Sequence, residues 1–134
     1  MNNYFLTLFS TLFFYQFSYG QISKKFEPID VFDIEYVSSP EISPDGNKIL
    51  FQRNFKDIMT DRNLSNLWIV NFDGTDMRPI TTGNHNATSP KWSNSGKMFT
   101  YKSNAEGRTQ LYLYNLENNS VQKLTNMQSS IGSV

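Results

Sequence analysis

The sequence predicts an all-β protein built from two copies of one four-stranded antiparallel unit. Three observations carry that prediction. SPEISPDGNKILF (39–51) returns as SPKWSNSGKMFTY (89–101) at an offset of 50 residues. LWIVN (67–71) returns as LYLYN (111–115), and Ile80-Thr81 as Leu124-Thr125, at an offset of 44. Aromatic residues are abundant, 11 Phe, 7 Tyr and 2 Trp, which favours strands over disorder.

The chain opens on different chemistry. FLTLFSTLFFYQF (5–17) is an apolar run of 13 residues with small residues, Ser18 and Gly20, just beyond it. A run of this length is too short to span a bilayer. Residues 1–20 are expected to be a signal peptide cleaved between Gly20 and Gln21, giving an exported, periplasmic or secreted protein with no stable membrane insertion. An uncleaved anchor is the alternative. Residues 21–37 form a lead-in segment.

The first unit, 38–86, is expected to run through four strands. In Ser43-Pro44-Asp45-Gly46, Pro44 presets φ at the second turn position and Gly46 supplies the left-handed conformation that closes the turn. The second unit, 87–130, lacks the Pro and Asp but keeps Gly96, where a side chain costs most. KILFQ and MFTYK follow as second strands, LWIV and LYLY as third strands. Asp73-Gly74 and Asn118-Asn119 suit hairpin turns, because these residues accept positive φ. MRPIT and VQKLT are the fourth strands. Pro79 fits only a sheet edge. LWIV and LYLY do not alternate cleanly, which predicts strands covered on both faces.

Four-stranded sheets stacked face to face at a period of 44 to 50 describe β-propeller blades. A sandwich also provides eight strands but no reason for two related quartets. The expected architecture is therefore an incomplete β-propeller of two blades, preceded by the signal peptide. Residues 131–134 fall where a third copy would begin. Repeat units stabilise one another across their shared interfaces. A two-bladed piece with two open faces is expected to be marginally stable or aggregation-prone by itself.

The first unit carries six extra residues, within NFKDIMTDRNLS (54–65). They predict a long connector, FKDIMTDR, with Phe55, Asp57, Met59, Asp61 and Arg62 as candidate docking or substrate-facing residues, beside Ile58. Loops held by a rigid scaffold tend to carry function. The plainer reading is a solvated loop whose apolar residues tuck under the sheet.

EPIDVFDIEYVSSPEISPDGNKILF (27–51), DIMTDRNLSNLWIVNFDG (57–74), RPITTG (78–83) and SPKWSNSGK (89–97) resemble the start of exported bacterial peptidases of the prolyl oligopeptidase family. The likeness points to the dipeptidyl-aminopeptidase and acylaminoacyl-peptidase branch and covers residues 27–134. It implies a propeller placed before a C-terminal α/β-hydrolase domain that holds the catalytic Ser, Asp and His. In that family the propeller admits short peptides and limits access by folded proteins. The implied partners are an oligopeptide substrate and the hydrolase domain in cis. A non-enzymatic periplasmic Tol-type propeller that binds a protein or cell-envelope partner is the alternative.

Chemistry in the chain itself is sparse. There is no G-x-S-x-G nucleophile elbow and only one histidine, His85, which reads as a surface residue of the NHNATS connector. Whether the parent protein is an enzyme therefore rests on the resemblance, and no catalytic residue is expected in this chain. Net charge is zero, with 12 basic and 12 acidic residues interspersed, so no nucleic-acid surface is expected. There are no cysteines, hence no thiolate zinc site and no Cys nucleophile. Asp73-Gly74-Thr75-Asp76 lacks the further carboxylates of a calcium loop. No cofactor or metal is expected.

Overall fold

The computed structural model describes residues 25–131. The expected signal segment over 1–20, with its Gly20–Gln21 boundary, lies outside the described residues, as do residues 132–134. A short 3-10 helix, Pro28–Asp33, leads into eight strands. These are β1 (Tyr36–Ile42), β2 (Lys48–Asp57), β3 (Arg62–Asn71), β4 (Arg78–Pro79), β5 (Ala87–Trp92), β6 (Met98–Ser103), β7 (Gln110–Asn115) and β8 (Ser120–Lys123). They form two four-stranded sheets, ordered β1-β2-β3-β4 and β5-β6-β7-β8, with every pairing antiparallel. The fold is all-β and blade-like, as the repeat predicts.

Each recurring sequence feature has a structural counterpart in both sheets. The Ser-Pro pair is a β-bulge. Ser39 and Pro40 together oppose Phe51, because the β1–β2 register jumps between Ser38 and Glu41. The second sheet makes the same jump between Thr88 and Lys91. Ser39 and Ser89 take positive φ values of 49° and 52°, and a proline with no N–H to donate fits the unpaired position. At the first turn, Gly46 has φ 74° and its N–H donates to the Ser43 carbonyl at 2.8 Å. Gly96, at φ 69°, donates to Ser93 at 3.0 Å.

The fourth strands are shorter than MRPIT and VQKLT suggest. β4 is only two residues long, because Pro79 breaks the ladder. Beyond it, the Thr81 hydroxyl accepts from the Leu67 N–H at 2.9 Å, and Thr125 accepts from Leu111 at 3.0 Å. A threonine side chain thus replaces the ladder bond in both sheets, which explains why Ile80-Thr81 and Leu124-Thr125 recur.

The core lies between the sheets. Leu50, Leu67 and Ile69 of the first sheet form one buried cluster with Ala87, Phe99, Tyr101, Tyr112 and Tyr114 of the second. The second sheet brings its rings as stacked cross-strand pairs, Phe99 on Tyr114 at 5.1 Å and Tyr101 on Tyr112 at 5.6 Å. Burial, then the neighbouring Tyr112 and Tyr114, pushes the Tyr101 phenol up to about 12. Trp92 closes the junction edge-on to Phe99, and its Nε1–H donates to the Glu41 carbonyl across the sheets at 3.0 Å. Double coverage of LWIV and LYLY is not what the described residues show. β7 alternates buried and half-buried positions, since only one of its faces meets the other sheet.

Candidate functional site

The six extra residues of the first unit do not form a loop. β2 and β3 are ten residues each against six in β6 and β7, and their connection is two residues shorter than its counterpart. The insertion has become strand. It pairs in register to the tip, Phe55 opposite Leu64 and Asp57 opposite Arg62, leaving only Ile58–Asp61 as turn. The expected connector is therefore corrected to an extended β2–β3 hairpin. Its backbone groups bond across the ladder, which a solvated loop of that length would leave to water.

Among the sequence-predicted residues, Asp57, Asp61 and Arg62 serve the turn itself. The Asp57 carboxylate accepts from the Met59 N–H at 3.1 Å and the Thr60 hydroxyl at 2.5 Å. Those two bonds, chiefly the Thr60 one, hold its pKa below the usual carboxylate value. Arg62 Nε donates to Thr60 Oγ1 at 3.3 Å. Asp61 takes φ 49° and sits 3.8 Å from Lys56 Nζ. Phe55 is half-buried. Ile58 and Met59 do not tuck under the sheet; Met59 is 87% exposed at the hairpin tip. The structure thus splits the candidates into a rigid frame and an apolar tip.

Two pairs that sequence reading missed, Arg53 with Glu35 and Lys56 with Phe32, anchor this hairpin. Arg53 makes a bidentate pair with Glu35, with Nε to Oε2 at 2.7 Å and a second bond from Nη2 to Oε1. Its guanidinium lies 5.4 Å from both the Phe55 and Trp68 ring centres. Lys56 Nζ lies 5.8 Å from the Phe32 ring, tying the hairpin to the 3-10 helix. The alternation in FQRNF, which puts Phe51, Arg53 and Phe55 on one face, was the available signal.

The hairpin and the lead-in enclose a cleft of about 300 Å³. Its walls include Val31, Ile34, Phe55 and Leu64, and its rim carries Asn86 and Thr88. Asn86 Oδ1 accepts from the Ser65 N–H at 3.0 Å, joining the hairpin base to the start of β5. Apolar walls with an amide rim can hold an extended chain; the lining also carries Lys56 and Ser65 but no His, Cys, Asp or Glu. His85 sits in the β4–β5 connector beside Gly83, whose φ is 103°. The Asp73 carboxylate accepts from Thr75 N–H at 3.0 Å and Thr75 Oγ1 at 2.7 Å, which makes it a turn residue. Among the described residues, no group of three or more His, Cys, Asp or Glu is placed to hold a metal ion. No described helix is long and apolar enough to cross a membrane. Gly46 and Gly96 are turn glycines with no contact to this cleft.

Comparison with known proteins agrees with this layout. The family described as the TolB beta propeller domain matches residues 24–133. The chain is 30% identical over 99 residues to the "Uncharacterized peptidase YuxL" of Bacillus subtilis, covering 73% of this chain and 15% of that protein. It is 35% identical over 75 residues to "Dipeptidyl-peptidase 5" of Porphyromonas gingivalis, covering 56% of this chain and 11% of the other. The fold superposes on the acylaminoacyl peptidase of Pyrococcus horikoshii with a TM-score of 0.64 at 16% identity, over 77% of this chain and 16% of that one. The chain thus spans about a sixth or less of the length of these relatives, within their propeller region.

Proposed function

Because this chain belongs to the TolB beta propeller domain family and is similar to the propeller part of peptidases, we propose that it forms the first two blades of a propeller in an exported serine peptidase. That propeller controls the access of short peptides to an α/β-hydrolase domain in the same polypeptide. The β2–β3 hairpin acts as a docking or peptide-facing wall, with Ile58 and Met59 at its tip. The observation that carries this reading is the pairing of two peptidase relatives with a first blade whose extra length builds a rigid hairpin beside an apolar cleft.

The test uses the protein made from its complete reading frame. It is expected to label with a fluorophosphonate probe, to cleave peptides of a few residues, and to spare folded proteins. Absence of labelling in a folded preparation would contradict a serine peptidase. A second reading, a Tol-type propeller that binds an envelope protein, is favoured by the name of the matched family and by 29% identity over 106 residues to the "Protein TolB homolog" of Chlamydia abortus, covering 78% of this chain and 24% of that protein. It predicts no labelling and a stable complex with one partner.

A further inference from the structure

The β2–β3 hairpin carries a strand edge that its own sheet leaves open. β2 pairs with β3 as far as Asp57 opposite Arg62, whereas β1 starts only at Tyr36, opposite Asn54. Ser43 N–H donates to the Lys48 carbonyl and Phe72 N–H to the Asn47 carbonyl, both at 2.8 Å. Along β2, even-numbered residues therefore turn their backbone groups toward β1 and odd-numbered ones toward β3. Lys56 is the first even-numbered position beyond the reach of β1. Its N–H and C=O bond to no turn, loop or side chain among the described residues. Tyr36, Asn54 and Lys56 all line the cleft of about 300 Å³, so the open edge and the cleft meet.

The lining shows what such an edge can take. Val31, Ile34, Phe55 and Leu64 supply apolar walls. The Asn54 amide already donates to the Tyr36 carbonyl and Ser38 Oγ, and Asn86 Oδ1 accepts from the Ser65 N–H. Asn63, directly across the ladder from Lys56, makes no side-chain bond among the described residues, which leaves its amide for a ligand backbone. Lys56 is the one charged residue of the lining. Its Nζ lies 5.8 Å from the Phe32 ring and 3.8 Å from Asp61 Oδ1, beyond hydrogen-bond reach of that carboxylate. A peptide's amine end meets no carboxylate in this lining, while its carboxylate end meets a cation.

We propose that the cleft holds the C-terminal part of an extended peptide. The peptide adds as a strand to the open edge at Lys56, a mode in which main-chain bonds give affinity and side-chain pockets give specificity. An apolar side chain enters the cleft, and the terminal carboxylate pairs with the Lys56 ammonium. The inference deepens the peptidase reading and rests on it for the origin of the peptide. It adds which end of the substrate this chain receives.

Fluorescence anisotropy on the protein made from its complete reading frame tests it. The probe is a pentapeptide ending in leucine and dye-labelled at its amine, as free acid, as C-terminal amide and with methylated backbone amides. Lys56→Gln should weaken the free acid about threefold and leave the amide unchanged, whereas a merely structural role of Lys56 would move both. Asp61→Asn removes the competing carboxylate at a position whose positive φ asparagine accepts, and should tighten the free acid about twofold. Ile34→Ala, at a half-exposed position, should weaken both forms about fivefold. Backbone methylation should weaken binding about fivefold. No binding to the parent, indifference to methylation and to Ile34→Ala, or a free-acid to amide ratio that Lys56→Gln leaves unchanged would overturn the proposal. Fluorophosphonate labelling of the same preparation reports on the peptidase reading separately. Labelling without these binding signatures sinks the cleft alone, and the signatures without labelling sink the peptidase alone.

Discussion

The two sheets are the same object built to different ends. Bulge, Gly-closed turn, cross-strand register and threonine cap recur position by position. Three things differ. The second sheet supplies the rings of the shared core while the first supplies aliphatic side chains. The first turn carries Asp45 where the second carries Ser95. The first sheet alone extends β2 and β3 into a long hairpin. Features that recur are those a blade needs to fold, and features that differ are free to serve a junction or a ligand. The comparison therefore separates scaffold from function without any catalytic residue on view.

Substitutions at equivalent positions sharpen that separation. The largest effect is expected at Phe99, which is fully buried in the junction. Phe99→Ala should cost about 3–5 kcal/mol in urea unfolding. Its equivalent Ile49→Ala, on the outward face, should cost about 1 kcal/mol or less. Equal losses would show that the two faces are equally buried. Trp92→Phe removes the inter-sheet bond to the Glu41 carbonyl and should cost about 1 kcal/mol, keeping most of the ring packing.

Acid should distinguish the two turns. The Ser43 hydroxyl, then the Asn47 backbone N–H and side chain, lower the Asp45 carboxyl from 3.8 to about 2. A carboxyl lowered by folding contributes stability above its unfolded value and loses it as pH falls through the folded one. The parent should therefore lose part of its stability between about pH 4 and pH 2. Asp45→Ser, which copies the second turn, should lose less over that window. Identical acid profiles would remove Asp45 from the account. The smallest effect is expected at the hairpin tip, where Met59→Ser should change stability by no more than about 0.5 kcal/mol.

Much of the scaffold could be read from residue types. Gly46 and Gly96 mark turns because few other residues take that conformation cheaply, and both are where the sequence put them. The offsets found both sheets. The bulges at Ser39 and Ser89 were hidden because a serine at positive φ leaves no compositional trace. The hairpin was mistaken for a loop for a related reason. NFKD and RNLS are polar, and their pairing depends on partners met across the turn. Arg53 was missed because Glu35 lies 18 residues away in the lead-in, a distance no periodicity reports. The cleft needs all three segments together, so it was not visible in any one of them.

Under the proposed function, the extra length of the first sheet serves peptide access and not folding. In the complete protein, Phe55–Leu64 would be replaced by Ala105–Arg108, the middle four of the six residues between the equivalent strands of the second sheet. The ratio of kcat/KM for short and long peptides would then be compared with that of the parent. The account predicts a cooperative melt close to the parent's and a collapse of the preference for short peptides. A folded variant with an unchanged ratio would contradict it.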